Sequence, residues 1–118
     1  MLTRNWCLFC AGVVVLQIFS LAAMPFEPLQ PGDTVWHFIA YAALTLLLWI
    51  ATDGRRPLLI VGVACALGIA DELRQSFIPG RSASFMDFIA DAAAVFATGA
   101  LLRWKTGAKT SCAESSAP

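Results

Sequence analysis

Four long apolar runs divide this chain of 118 residues and leave only short polar segments between them. Hydrophobic residues make up 58% of the chain and charged residues 14%, whereas about a quarter of a typical soluble domain is charged. An α-helix needs about 20 apolar residues to cross a hydrocarbon core ~30 Å thick, and the length of each run is close to that number. The runs therefore predict an all-α protein, a four-helix transmembrane bundle.

The four predicted spans are at about residues 6–24, 35–51, 58–77 and 85–102. They form a single domain over residues 1–104. The segment 105–118 is rich in Lys, Thr, Ser and Ala. Few of its residues are large and apolar, so it is predicted to be a disordered cytoplasmic tail.

Proline and serine residues indicate where the spans begin and end. Three prolines within 25–31 predict an extended connector between the first two spans. Pro57 suits the first turn of the third helix, and Pro79 with the glycine after it ends that helix. Ser82 or Ser84 is predicted to cap the fourth helix.

Positive charge is distributed unevenly among the segments outside the spans. The N-terminal segment, the loop between the second and third spans and the tail contain Arg4, Arg55, Arg56, Arg103, Lys105 and Lys109. In a four-span protein these segments share one side, and the positive-inside rule makes that side cytoplasmic. Both termini are therefore predicted to lie in the cytoplasm, with the protein in the inner (plasma) membrane. Arg74 and Arg81 are exceptions and lie among acids.

The first span also has a second interpretation. Arg4, the apolar run and the small residues around Ser20 are similar to a secretory signal peptide with its cleavage site. The length of the run and the closely following Pro25 favour a retained span over cleavage.

The remaining composition narrows the classes of function. Net charge is zero, which gives no electrostatic case for binding nucleic acid. Four cysteines have no spacing typical of zinc binding or of a disulfide framework. Cys7, Cys10 and Cys65 are interpreted as small apolar packing residues, and Cys112 in the polar tail as a free cysteine. No cofactor is predicted, and the lipid bilayer is the expected partner.

Polar residues inside the apolar runs carry the main functional signal, because an ionisable group in hydrocarbon costs ~3 kcal/mol or more. Three sets have helical spacing: Asp33, His37 and Tyr41; Glu72 and Gln75; Asp87 and Asp91. Residues three or four apart share one helix face. The first and third sets lie in the first turns of spans that begin at the outer side of the membrane. The second set lies in the last turns of a span that ends at that side. They predict one polar pocket that faces outward.

These residues resemble the VanZ-like family. The similar pattern is Asp33, His37 and Tyr41 in one span, then Glu72, Gln75, Phe77, Pro79, Gly80 and Arg81, then Asp87 opening the last span. The resemblance covers about residues 30–102. This sequence departs from the family pattern at Asp91, where Asn is common, and at Ala94, where Gly is common. The resemblance implies a small multi-pass protein of the bacterial cell envelope, in a family whose namesake is associated with glycopeptide (teicoplanin) resistance.

The polar residues leave several functions open. The favoured hypothesis is a ligand-binding site for a lipid-linked or amphipathic envelope molecule, with Arg81 anchoring phosphate or carboxylate. The candidate ligand-binding residues are Asp33, His37, Tyr41, Glu72, Gln75, Arg81, Asp87 and Asp91. In a catalytic version Glu72 or Asp87 acts as general acid or base and His37 shuttles the proton.

A structural alternative needs no ligand. Arg74 and Arg81 would pair with Glu72, Asp87 or Asp91, and Gln75 would bridge them. Asp33 and Asp71 raise the count to five acids against two arginines, so the surplus needs protons, water, a cation, or exposure of Asp33 and Asp71 to solvent. Proton-coupled transport is a further alternative, because intramembrane acids mark proton pathways. A metal site is not predicted, since one histidine among carboxylates is a weak signal.

Overall fold

The computed structural model describes residues 2–21, 30–79 and 85–115, with side chains over 3–20, 34–79 and 85–107. Every regular element in these residues is an α-helix: α1 (Leu2–Leu21), α2 (Gln30–Ala51), α3 (Pro57–Gln75) and α4 (Phe85–Ser115). The predicted all-α class is confirmed. Stretches long and apolar enough to cross a membrane lie in three helices: Thr3–Ser20, Thr34–Ala51 and Phe85–Gly107.

The helix α3 differs from the other three in its last turns. Pro57 is its first residue, as predicted, and the run from Pro57 to Ala70 is free of charge. Asp71, Glu72 and Arg74 then place ionisable side chains near its C-terminal end. Length and composition alone therefore do not make α3 a membrane span, and a fourth crossing stays a prediction.

Several predicted boundaries change in the structure. The helix α1 covers Leu2–Leu21, whereas the predicted span was about 6–24. The helix α2 begins at Gln30, about one turn before the predicted start, because Pro31 is tolerated in the first turn of a helix. The prediction of a disordered tail is wrong over 105–115, where α4 continues to Ser115. Elongating an existing helix avoids the cost of nucleation, and Gly107 is the one strong helix-weakening residue in that stretch.

The tight turn between α2 and α3 is a Schellman motif. The Gly54 amide donates to the Trp49 carbonyl at 3.0 Å, and the Asp53 amide donates to the Ile50 carbonyl at 3.3 Å. Asp53 and Gly54 have φ of 52° and 64°, in the left-handed region that glycine adopts most easily. The motif satisfies the last carbonyls of α2 and turns the chain back along it.

The helix α2 is the centre of the bundle and packs against α1, α3 and α4. Its contacts with α4 pair Thr34 with Asp87 and His37 with Asp91, at nearly constant sequence separations of 53 and 54. Constant separation means that α2 and α4 run parallel. The N-terminal turns of both helices therefore lie at the same end of the bundle.

The helix α3 runs antiparallel to α4. Gly68 lies against Asp91, and Gly99 lies against Val61, so residue numbers rise along one helix as they fall along the other. The close approach uses small residues, since Ala64 and Gly68 are buried. The C-terminal end of α3 consequently meets the N-terminal ends of α2 and α4.

The two ends of the bundle differ in charge. Arg74 of α3 lies 5.1 Å from the centre of the Phe19 ring, so the C-terminal end of α1 joins the same end. The opposite end carries the exposed basic residues Arg4, Arg55, Arg56, Arg103 and Lys105. The exposed indoles of Trp6 and Trp104 also lie there, as expected for aromatic residues at a membrane interface.

The outer surface of the bundle is more apolar than that of a water-soluble protein. An apolar core around Tyr41, Leu44 and Val95 joins α1, α2, α3 and α4. Polar and charged residues are also buried, namely His37, Thr45, Asp71, Gln75, Asp87 and Asp91. Large apolar side chains face outward, with Leu58 86% and Phe85 74% exposed. A surface of this kind suits lipid, which supports membrane insertion independently of hydropathy.

Candidate functional site

Polar side chains from α2, α3 and α4 meet at the end of the bundle opposite the basic residues. We call the following set the polar cluster: Thr34, His37, Tyr41, Asp71, Glu72, Arg74, Gln75, Asp87 and Asp91. Six of the predicted site residues belong to it: His37, Tyr41, Glu72, Gln75, Asp87 and Asp91. The side chain of Asp33 and the whole of Arg81 lie outside the described residues.

Two contacts join α2 to α4 within the cluster. The Thr34 hydroxyl donates to Asp87 Oδ1 at 2.7 Å. One turn deeper, His37 Nδ1 lies 3.2 Å from Asp91 Oδ1. Asp87 is 7% exposed and Asp91 3% exposed, so both contacts lie in a desolvated environment where hydrogen bonds are strong.

Asp71 is the most enclosed acid and organises the end of α3. It has no exposed surface, which corrects the expectation that it could be open to solvent. Gln75 Nε2 donates to Asp71 Oδ2 at 2.9 Å, and Arg74 Nη2 donates to Asp71 Oδ1 at 3.1 Å. Residues three and four apart share a helix face, so one carboxylate accepts from both.

This arrangement corrects two predicted roles. Arg74 forms an ion pair with Asp71 of its own helix, not with Glu72, Asp87 or Asp91. The amide of Gln75 donates within α3 and does not bridge acids of different helices. The side chains of Arg74 and Gln75 both donate to Asp71, because it lies one turn before them on the same face of α3. The acids of α4 are on a different helix.

Three buried oxygens in the cluster have no hydrogen-bond partner among the described residues. They are Tyr41 Oη, Glu72 Oε1 and Asp91 Oδ2, from α2, α3 and α4 in turn. Tyr41 has no exposed surface. A buried polar group without a partner costs about 1–3 kcal/mol, so three such groups in one place require a physical explanation.

Two of these oxygens, Tyr41 Oη and Asp91 Oδ2, lie beside Gly68. A methyl group placed on Gly68 would lie 3.6 Å from Asp91 Oδ2 and 3.8 Å from Tyr41 Oη. Glu72 follows Gly68 by one helical turn on α3. The glycine thus lets the hydroxyl and the carboxylate approach the backbone of α3 closely.

The rim and floor of the cluster differ in exposure. Thr34, Glu72 and Arg74 are half-buried and lie towards the end of the bundle, whereas Tyr41 and Asp91 are buried below them. The His37 and Tyr41 rings are nearly parallel, with centroids 6.4 Å apart. No group of described His, Cys, Asp and Glu side chains has an arrangement that could hold a metal ion.

Three residues of the cluster were absent from the predicted site: Thr34, Asp71 and Arg74, the last of which was predicted only in the structural alternative. Thr34 lies seven residues before Tyr41, and Asp71 lies four residues before Gln75, so helical spacing contained the signal for both. Thr34 gives only a weak signal in the sequence, because a hydroxyl group costs much less free energy in a membrane helix than an ionisable group does. The expectation was that Asp71 could be open to solvent, whereas it is fully buried.

Fold and site together define a class, the helical membrane proteins with a buried polar cluster at one end. Comparisons with protein-family models, with curated proteins and with solved structures found no match to this chain. The likeness to VanZ-like proteins therefore rests on the motif residues alone.

Proposed function

We propose that this chain is a four-span protein of the bacterial plasma membrane, similar to VanZ-like proteins, whose polar cluster binds the polar group of a lipid-linked or amphipathic envelope molecule. Both termini are cytoplasmic in this proposal, and the cluster faces the outer leaflet. The basic residues at the opposite end support that orientation.

The observation that carries the ligand-binding proposal is the set of buried oxygens without partners, Tyr41 Oη, Glu72 Oε1 and Asp91 Oδ2. A network that served only to hold helices together would gain by pairing these groups or by replacing them with apolar ones. A ligand that hydrogen-bonds to them recovers the cost of their burial. The half-buried rim gives a headgroup access from the end of the bundle.

The experiment compares lipid retention by three forms of the full chain. Tyr41→Phe removes the hydroxyl without a partner and leaves the ring in place. Thr45→Val is the matched control, because Thr45 is buried on the same helix and its hydroxyl donates to the Tyr41 carbonyl at 2.8 Å. Each form is purified, incubated with a polar lipid extract of the expression host, and analysed by native mass spectrometry.

We expect the wild type and Thr45→Val to retain a bound lipid species in the mass spectrometer at collision energies that remove bulk lipid. Tyr41→Phe should retain less of that species. Equal retention by all three forms would contradict ligand binding at the cluster.

A structural role is the second candidate function. It is favoured by the bond from Thr34 to Asp87 and the contact of His37 with Asp91, which fix the register of α2 against α4. Under this account Thr34→Val lowers the apparent melting temperature in detergent, and Tyr41→Phe changes neither melting nor lipid retention. Acid–base catalysis by Glu72 or Asp87 and a link to glycopeptide resistance stay predictions from the sequence.

A further inference from the structure

We infer that the polar cluster selects a primary ammonium group as the headgroup of its ligand. This inference rests on the proposed ligand-binding function and specifies its chemistry. The three oxygens without partners come from three different helices. A primary ammonium has three N–H donors and no acceptor, so one such group matches the three oxygens in number and polarity.

The charge of the described cluster favours a cation. Asp71, Glu72, Asp87 and Asp91 supply four carboxyl groups, whereas Arg74 is the one described side chain of the cluster that is always cationic. The Arg74 Nη2 atom donates to Asp71 and its guanidinium lies over Phe19, so Nε is its one buried donor without a described partner. An incoming cation offsets the remaining acids, which stand in a setting of low dielectric where an opposite charge is strongly favoured.

Three other ligand chemistries fit the same groups less well. A phosphate would meet four carboxyl groups and only one buried cationic donor without a described partner, Arg74 Nε. Sugar hydroxyls could donate to the oxygens, but they are neutral and leave the acidic charge in place. A metal ion needs several ligands converging at short range, and the described His, Cys, Asp and Glu side chains offer no such arrangement.

The test uses four amphiphiles that share a dodecyl chain: dodecylammonium, dodecyltrimethylammonium, dodecyl phosphate and dodecyl maltoside. The trimethyl compound keeps the positive charge and loses the N–H donors. Binding to the full chain is measured at pH 7 by isothermal titration, in micelles of an uncharged polyoxyethylene ether. Tyr41→Phe and Asp91→Asn are measured beside the wild type, with Thr45→Val as the control.

Dodecylammonium is expected to bind about tenfold more tightly than each of the other three compounds, the difference that one charge-assisted hydrogen bond supplies. Tyr41→Phe should weaken it about threefold to tenfold, and Asp91→Asn by about tenfold or more, because the second variant also removes charge. Thr45→Val should bind like the wild type. If Asp91→Asn does not fold, Tyr41→Phe decides the question alone.

The outcomes separate the inference from the proposed function. Equal affinity for the ammonium and trimethylammonium compounds would overturn the requirement for N–H donors. Tightest binding of the phosphate or the maltoside, weakened by Tyr41→Phe, would overturn the ammonium inference and leave ligand binding at the cluster supported. Binding of every compound that is unchanged in Tyr41→Phe would overturn both.

Discussion

At the scale of single residues, the cluster contains polar groups of two kinds. Asp71 accepts from Arg74 and Gln75 and is fully enclosed. Glu72, its neighbour in sequence, is half-buried and leaves Oε1 without a described partner. Adjacent acids on one helix therefore have opposite expected roles: Asp71 stabilises the end of α3, whereas Glu72 is free to meet a ligand.

Replacing these two acids should separate stability from binding. Asp71→Ala leaves the donors of Gln75 and Arg74 without their acceptor, and a buried donor without a partner costs about 1–3 kcal/mol. We expect a clear fall in the apparent melting temperature in detergent. Glu72→Ala is the matched control and should melt close to the wild type, so an equal or larger loss in Glu72→Ala would contradict the assignment.

The sequence predicted single residues best where helical spacing alone decides which face of a helix a side chain lies on. The intervals between His37 and Tyr41 and between Asp87 and Asp91 placed these side chains on common helix faces, and the structure brings them together. Pairing was not predictable, because the choice of Asp71 by Arg74 depends on depth and on side-chain direction. The contact of His37 with Asp91 depends in the same way on the register of two helices far apart in sequence.

At the scale of elements, apolar runs and proline positions located the four helices, and the ends of the helices were less predictable. The early start of α2 and the extension of α4 to Ser115 both depend on propagation of a helix that packing has already nucleated. The turn after α2 could be predicted as a tight loop. Its left-handed residues and its contact with Trp49 needed the structure.

Gly54 offers a test of that turn. Its φ of +64° is strained for any residue with a Cβ, and a methyl group there would lie 2.8 Å from the Trp49 ring. Gly54→Ala should therefore destabilise the protein by about 1–2 kcal/mol or more. Gly62→Ala is the control, since no atom lies within 4 Å of the added methyl group, and it should be neutral or stabilising. Equal melting of both variants would contradict the described turn.

At the scale of the whole molecule, the bundle separates a basic end from a polar cluster of mainly acidic groups. Lipid-facing apolar side chains and buried polar ones agree with three helices apolar enough to cross a membrane. The decisive element is α3, because its first turns are apolar and its last turns are charged. If α3 crosses, the charged turns stand near the far interface and the proposed topology follows.

Site-directed labelling tests that topology. In a background without the native cysteines, Ser76→Cys and Arg55→Cys place single thiols just beyond the two ends of α3, and both positions are exposed. A membrane-impermeant maleimide should label Ser76→Cys in intact spheroplasts and Arg55→Cys only after permeabilisation. Labelling of both from the same side would show that α3 does not cross.

Ligand-dependent melting tests most directly the proposed binding of a membrane ligand by the polar cluster. A ligand that binds only the folded state raises the melting temperature. Without added lipid, Tyr41→Phe should melt no lower than the wild type, because its lost hydroxyl has no described partner. Titration with polar lipid extract should then raise the wild-type melting temperature more than that of Tyr41→Phe. An equal rise in both forms would contradict the account.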